Sequence, residues 1–239
     1  MKVEIWSDVV CPWCYIGKRR FEKALADFPH EVEVTYRSFE LDPSAPVQGG
    51  ETTTAALARK YGGEARVAAM QEQVRRQAAD EGLTFRLDRT PHVNSVDAHR
   101  LLHLALAESG REAQATLGDA FLAAYFEDGR DLSDPAVLRE IAVDSGLDAR
   151  RVDEVLAGDD FRDAVRADVA QAAAYGATGV PFFVLEGRYA ASGAQPTEVF
   201  AQVLERPGRR PGPHRWRSWR VRPGTSAGPK AATDRHPEP

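Results

Sequence analysis

Apolar residues cluster from Val3 to Trp6 as in a short buried strand, and then the period changes. Tyr15, Ile16, Phe21, Ala24, Leu25 and Phe28 recur at three- and four-residue spacings, the stripe of a helix that begins at or just before Cys11-Pro12-Trp13-Cys14. Phe28-Pro29-His30 ends that helix, because the residue before a proline is pushed out of the helical region. Val32, Val34, Tyr36 and Ser38 then alternate with polar positions and predict a second strand. Asp42-Pro43, Ala45-Pro46 and Gly49-Gly50 mark the stretch from Leu41 to Thr54 as a loop.

From Thr54 to about Gly176 strand patterning almost disappears, and alanines and leucines recur at helical spacing between recognisable stops. Gly62-Gly63 divides one helix from the next, which runs from about Glu64 to Glu81 and stops at Gly82. Thr84 to Leu87 alternates briefly as an extended piece would. Asn94 or Ser95 suits an N-cap for a helix that reaches Ser109 before Gly110 stops it. Another runs from Arg111 to about Glu127, and Ser133-Asp134-Pro135 supplies a cap and a first-turn proline for a third, ending at Ser145-Gly146. Asp148 to Leu156 and Asp159 to Tyr175 continue the series. Beyond Gly176, Phe182 to Leu185 and Arg188 to Ala191 flank Glu186-Gly187 as a hairpin, and Pro196 opens a last helix over roughly Thr197 to Leu204.

The two cysteines, the only ones in 239 residues, cannot make a disulfide framework, so they read as chemistry. Cys11 falls at a helix N-terminus, where free N–H groups and the positive end of the dipole favour a thiolate. Cys14 follows one turn later on the same face, placed to attack a mixed disulfide held on Cys11, and Pro12 suits a first-turn position that needs no N–H.

A hydrophobic fraction of 43% is enough for a core, and no apolar run approaches membrane-spanning length. Met1-Lys2 runs directly into Val3 without a charged-then-apolar leader, so the expected location is cytoplasmic and no membrane partner is expected. Net charge is −5 but uneven. From Arg206 onward nine basic residues face Asp234 and Glu238, a tail of +7 on a body of −12. Residues 206–239, rich in proline, glycine and arginine with Trp216 and Trp219 as the large apolar residues, are expected to be a disordered basic tail. Arginine with tryptophan can contact nucleic acid, yet no nucleic-acid fold accompanies them, and nucleic acid is not the expected partner.

Strand, cysteine-bearing helix, strand, long helical insertion, hairpin and helix is the order of an α/β thioredoxin fold with an all-helical domain between its second and third strands. The expected division is 1–53 with 177–205 as the thioredoxin-like domain and 54–176 as the insertion. At this point Cys11-Pro12-Trp13-Cys14, the helical block and Thr178-Gly179-Val180-Pro181 before a strand resemble the DsbA-type thiol-disulfide oxidoreductases. Ser192-Gly193-Ala194-Gln195 places the resemblance nearest the leaderless FrnE-like branch, and it covers roughly residues 1–205. It implies Cys11 and Cys14 as catalytic residues and a cis proline at 181 beside them. Pro12, Trp13, Val180 and Pro181 would then form a docking edge for thiol or disulfide substrates, protein or small molecule. Trp13 is expected to be exposed. No metal or resident cofactor is implied, with glutathione as a candidate co-substrate. Secreted DsbA-type oxidants carry a histidine between the cysteines; Pro12-Trp13 offers no charge there, so a strongly oxidising potential is not implied, and in a reducing cytosol the dithiol would rest reduced, favouring reduction, isomerisation or redox sensing over net oxidation.

Other readings compete. His99 and His103, four apart on one helix face, could complete a zinc site with the cysteines, but the long separation and the lack of further cysteines favour packed or solvent-facing imidazoles. Asn94, Asp97, His99 and Arg100 could line an inter-domain cleft or form a solvated face. A glutathione-dependent isomerase resembling 2-hydroxychromene-2-carboxylate isomerase shares the domain order, though that family tends to use serine where this chain has Cys11. A non-catalytic peptide binder is the third reading.

Overall fold

The computed structural model describes residues 1–205 together with 217–218. In order these form β1 (Lys2–Ser7), α1 (Pro12–Ala26), β2 (Glu33–Ser38), α2 (Thr53–Tyr61), α3 (Glu64–Ala79), α4 (Val96–Phe126), α5 (Pro135–Asp144), α6 (Ala149–Ala157), α7 (Arg162–Ala174), β3 (Phe182–Leu185), β4 (Tyr189–Ser192), α8 (Thr197–Leu204) and β5 (Arg217–Ser218). The sheet order is β2-β1-β3-β4-β5, with β1 parallel to β2 and antiparallel to β3, and β3 antiparallel to β4. Its first four strands keep the expected thioredoxin order, and the helical series α2–α7 lies between β2 and β3 in the chain.

Strand alternation sorts the core into two layers. Val3, Ile5, Phe183 and Leu185 point to one face and pack with Phe21 and Ala24 of α1 and Phe200 and Leu204 of α8. Phe21, Phe183 and Phe200 meet with ring centroids 4.6–5.4 Å apart. Trp6, Phe182 and Val184 point the other way, onto Ala172 of α7. Trp6 has a polar edge that burial would strand, and its Nε1–H donates to the Asp168 carbonyl at 2.8 Å. A third cluster binds Tyr15 and Ile16 of α1 to the helices, with Phe85 stacked between Tyr15 and Phe126.

Helix ends fall where the capping residues put them. Thr52, Asp134 and Asp148 each accept a first-turn N–H, Pro135 occupies the first turn of α5, and Gly62 closes α2 in the left-handed region. Gly110, with φ of 88° and ψ of −175°, is non-helical and divides α4 into two helical segments at the expected stop. The stretch 84–87 keeps its alternation without joining a sheet: Leu83, Phe85 and Leu87 are buried, but the Arg86 N–H donates to the Phe126 carbonyl at the end of α4.

β2 lies at one margin of the sheet, and Gln114 of α4 serves its backbone there. The Tyr36 N–H donates to Gln114 Oε1 at 3.1 Å, and Gln114 Nε2 donates to the Tyr36 carbonyl at 2.9 Å. At the other margin, β5 pairs in parallel with β4 through Tyr189 with Arg217 and Ala190 with Ser218. Apart from Arg217 and Ser218, residues 206–239, expected as a disordered basic tail, lie outside the described residues.

Candidate active site at the start of α1

Cys11 is the N-cap of α1, with extended φ/ψ of −100° and 113°, and Pro12 occupies the first turn. The turn before the helix is fixed from β1: the Cys11 N–H donates to the Asp8 carbonyl at 3.2 Å. Both cysteines are free thiols and both are buried, Cys11 at 3% and Cys14 at 1% exposure. The Cys11 thiol donates to the Val180 carbonyl at 3.8 Å, so the loop before β3 reaches the helix N-terminus from across 169 residues. The Val180–Pro181 peptide bond is cis.

Cys14 faces inward. Its sulfur accepts the Asp8 N–H at 3.5 Å. Burial raises the Cys14 thiol well above its ordinary value, the hydrogen-bonded Cys11 thiol and its charge push the same way, and the Asp8 N–H and the Ser7 hydroxyl oppose them. The two sulfurs thus sit differently: Cys11, the N-cap residue, makes no side-chain cap bond and turns its sulfur to the Val180 carbonyl, while Cys14 is held as a neutral thiol behind it.

The Ser192-Gly193-Ala194-Gln195 segment holds the proline loop against α1. The Gly193 N–H donates to the Pro181 carbonyl at 2.7 Å, Gln195 Nε2 donates to the Ser192 carbonyl at 2.6 Å, and Arg20 Nη1 donates to the Ala194 carbonyl at 2.9 Å. Arg20 is itself paired with Glu81 at 2.6 Å. Gly17 makes this approach feasible, since a Cβ there would stand 2.9 Å from Pro181 Cγ and 3.3 Å from Ala194. Gly17→Val is expected to push the proline loop off α1, slowing disulfide capture at Cys11 about tenfold and costing about 1–3 kcal/mol of stability through overpacking. Stopped-flow thiol kinetics and a thermal melt would measure both, and unchanged kinetics would refute the packing role.

Of the residues expected at the site, Cys11 and Val180 are in contact, Pro181 follows Val180, and Pro12 lies partly exposed in the first turn. Trp13, expected to be exposed, is half-buried against the helical core cluster. His99 and Arg100 correct the solvated-face reading, being 2% and 1% exposed. Arg100 gives every donor group to protein: Nε to the Asp160 carbonyl at 2.8 Å, Nη1 to Asp97 at 2.8 Å, and Nη2 to the carbonyls of Gly158 and Val155. The histidines likewise have partners. His99 Nε2 lies 3.3 Å from Asp8 Oδ1, and His103 Nε2 lies 3.1 Å from Ser38 Oγ and 3.0 Å from Asp168 Oδ2. Among the described residues no three His, Cys, Asp or Glu side chains are grouped to hold a metal, and no helix is long and apolar enough to cross a membrane.

Asp8 is the residue that the sequence reading passed over. It is fully buried and accepts from the N–H groups of Val10 at 3.3 Å and Leu41 at 2.7 Å. A lone carboxylate between Trp6 and Val9, inside an apolar run, was its signal.

The model of the DSBA-like thioredoxin domain matches residues 2–205. The chain belongs to the DSBA-like thioredoxin domain family. Within this family's fold it is similar to a probable DsbA oxidoreductase from Streptomyces coelicolor, with 48% identity and a TM-score of 0.82, covering 90% of this chain and 93% of that one. It also resembles the cytosolic disulfide reductase DsbM from Pseudomonas aeruginosa, solved with GSH, at 18% identity and a TM-score of 0.60, covering 86% and 98%. A 2-hydroxychromene-2-carboxylate isomerase aligns at 17% identity with a TM-score of 0.59, covering 86% and 95%. The last two likenesses show the DSBA-like fold alone.

Proposed function

We propose that the protein is a thiol-disulfide oxidoreductase or isomerase that works through the Cys11-Cys14 dithiol. The observation that carries this reading is the asymmetry of the sulfurs at one helix start: Cys11 at the N-cap against the Val180 carbonyl, Cys14 behind it with a raised pKa. In the reducing direction the Cys11 thiolate attacks a substrate disulfide, forming a bond to one substrate sulfur and releasing the other as a thiolate. Cys14, on losing its proton, attacks Cys11 Sγ, frees the remaining substrate thiolate, and leaves Cys11 and Cys14 joined. An external dithiol, or two molecules of glutathione, returns the pair to the reduced state. Oxidation is the same sequence reversed.

Pro12, Trp13, Val180 and Pro181 flank the sulfur and form the docking edge for an extended substrate. Residues 1–53 and 177–205 are the thioredoxin-like unit and 54–176 the helical one, a FrnE-like arrangement suited to a reducing cytoplasm. No charged residue between the cysteines stabilises a Cys11 thiolate further, so the reduced form gains nothing there and the pair is a weaker oxidant, which supports net reduction or isomerisation. The deciding experiment is turnover in an insulin-reduction assay with Cys11→Ser. Activity is expected to fall to background; retention of parent activity would reject the assignment.

A further inference from the structure

We propose that Arg20 is a positioning residue for substrate docking: by tying the segment after β4 to α3 of the helical unit, it holds the Val180-Pro181 edge in place at Cys11 for polypeptide disulfides. This rests on the dithiol reading above and deepens it by naming the substrate class that the edge serves.

Arg20 lies one turn beyond Gly17, the residue of α1 that the proline loop approaches, and its side chain is 11% exposed. Its nitrogens reach two separate parts of the chain. Nη1 donates to the Ala194 carbonyl at 2.9 Å, while Nε donates to Glu81 Oε1 at 2.6 Å and Nη2 to Gln77 Oε1 at 2.8 Å. Gln77 belongs to α3, and Glu81 to the turn that closes it. That turn is fixed by its own backbone: the N–H groups of Glu81 and Leu83 both donate to the Ala78 carbonyl, at 3.0 and 2.9 Å, and the Leu83 side chain is buried. The Glu81 carboxylate, 9% exposed, also accepts from Lys23 Nζ at 2.6 Å. Burial works against its charge, but Arg20 and Lys23 outweigh burial and hold the carboxyl below its ordinary value. Glu81 is therefore a charged, immobile anchor for the guanidinium.

Ala194 is where this clamp meets the site. Its neighbour Gly193 donates its N–H to the Pro181 carbonyl at 2.7 Å, and the Gln195 N–H donates back to the Gly193 carbonyl at 2.9 Å, so 193–195 and the proline loop move together. Through Arg20 the position of that loop is set from α3 as well as from its own sheet. Lysine in its place would offer one point charge to acceptors that a planar fork spans at once.

Docking and capture then place different demands on the protein. A small disulfide needs the Cys11 sulfur alone, which α1 holds as its N-cap residue. A polypeptide disulfide must also lay its backbone along Val180 and Pro181, and that alignment is what a loosened segment loses. A clamp that merely joined α1 to α3 would change stability and leave the preference between the two substrates where it was.

The test uses the reduced full-length protein and two disulfides that release the same coloured thiolate: 5,5′-dithiobis(2-nitrobenzoate), and a short extended peptide whose single cysteine carries the thionitrobenzoate group. With either, Cys11 gives its proton to solvent, its thiolate bonds to one sulfur of the reagent, the reagent's S–S bond breaks, and thionitrobenzoate leaves with the electron pair. Arg20→Met is expected to raise the peptide concentration for half-maximal capture about tenfold, while the limiting rate and the first release from the small reagent stay within about twofold. Arg20→Lys should fall between parent and Arg20→Met. Glu81→Gln leaves an oxygen for Arg20 Nε but no charge, and should raise half-saturation about threefold. Parent half-saturation in Arg20→Met overturns the proposal, and so does equal slowing with both reagents; if Arg20→Met does not fold, parent values in Arg20→Lys and Glu81→Gln overturn it. Failure of the underlying dithiol reading looks different: Cys11→Ser would then release thionitrobenzoate from both reagents as fast as the parent.

Discussion

Cys14→Ser is expected to turn the protein from a catalyst into a trap. Cys11 keeps its N-cap position and its contact with the Val180 carbonyl, neither of which depends on the Cys14 sulfur, so capture of a disulfide proceeds. Release then depends on an external thiol at millimolar concentration in place of a sulfur held one helical turn away. Turnover should fall at least about a hundredfold, since a positioned intramolecular nucleophile acts at an effective concentration far above that of a free one. Non-reducing electrophoresis and mass spectrometry of the intact protein should show a stoichiometric adduct on Cys11 that dithiothreitol removes. Undiminished turnover with no adduct would defeat the assignment of the resolving role.

Arg100→Met should produce the largest loss of stability. The guanidinium is 1% exposed and satisfies the carbonyls of Val155, Gly158 and Asp160 where α6 gives way to α7, besides pairing with Asp97. Methionine fills much of the same space and offers no donor, so buried carbonyls lose their partners. Each such loss costs about 1–3 kcal/mol, and the sum expected here is about 4 kcal/mol. For a domain of this size that lowers Tm by roughly 10 °C. Arg100→Lys should fall between the two, because one ammonium cannot replace a fork that spans three acceptors. Faster amide exchange should be confined first to the turn at 158–161. A Tm within about 1 °C of the parent would show that water replaces the guanidinium without loss.

The elements legible in the sequence were those whose cause is local. The cap at Asp134, the stops at Gly62 and Gly82, and the apolar runs of β1 and β3 all act through neighbours in the chain, and the structure follows them. The spacing of Cys11 and Cys14 and the presence of Val180-Pro181 were equally plain, and the 3.8 Å contact of Cys11 with Val180 joins them. What the pattern could not supply was side-chain partnership over distance. For His99 and Arg100 the sequence leaves a cleft lining, hydrogen-bonded packing and a solvated face open; their burial follows from Asp8, 91 residues earlier, and from carbonyls at 155–160, neither of which any periodicity encodes. The place of Trp13 between the cysteines points it to solvent, while the helical core half-covers it. The alternation at 84–87 reports which side chains are covered, and Phe85 and Leu87 are buried, but it does not say whether the backbone finds a strand to pair with.

The Gln114 amide occupies both the donor and the acceptor of Tyr36, much as one residue of a neighbouring strand would. A second polypeptide laid along β2 would have to evict that amide and leave its two hydrogen-bonding groups without recompense. Growth of this sheet by addition of foreign strands is thereby blocked on the β2 flank, and self-association through shared β-structure would have to begin from the opposite flank.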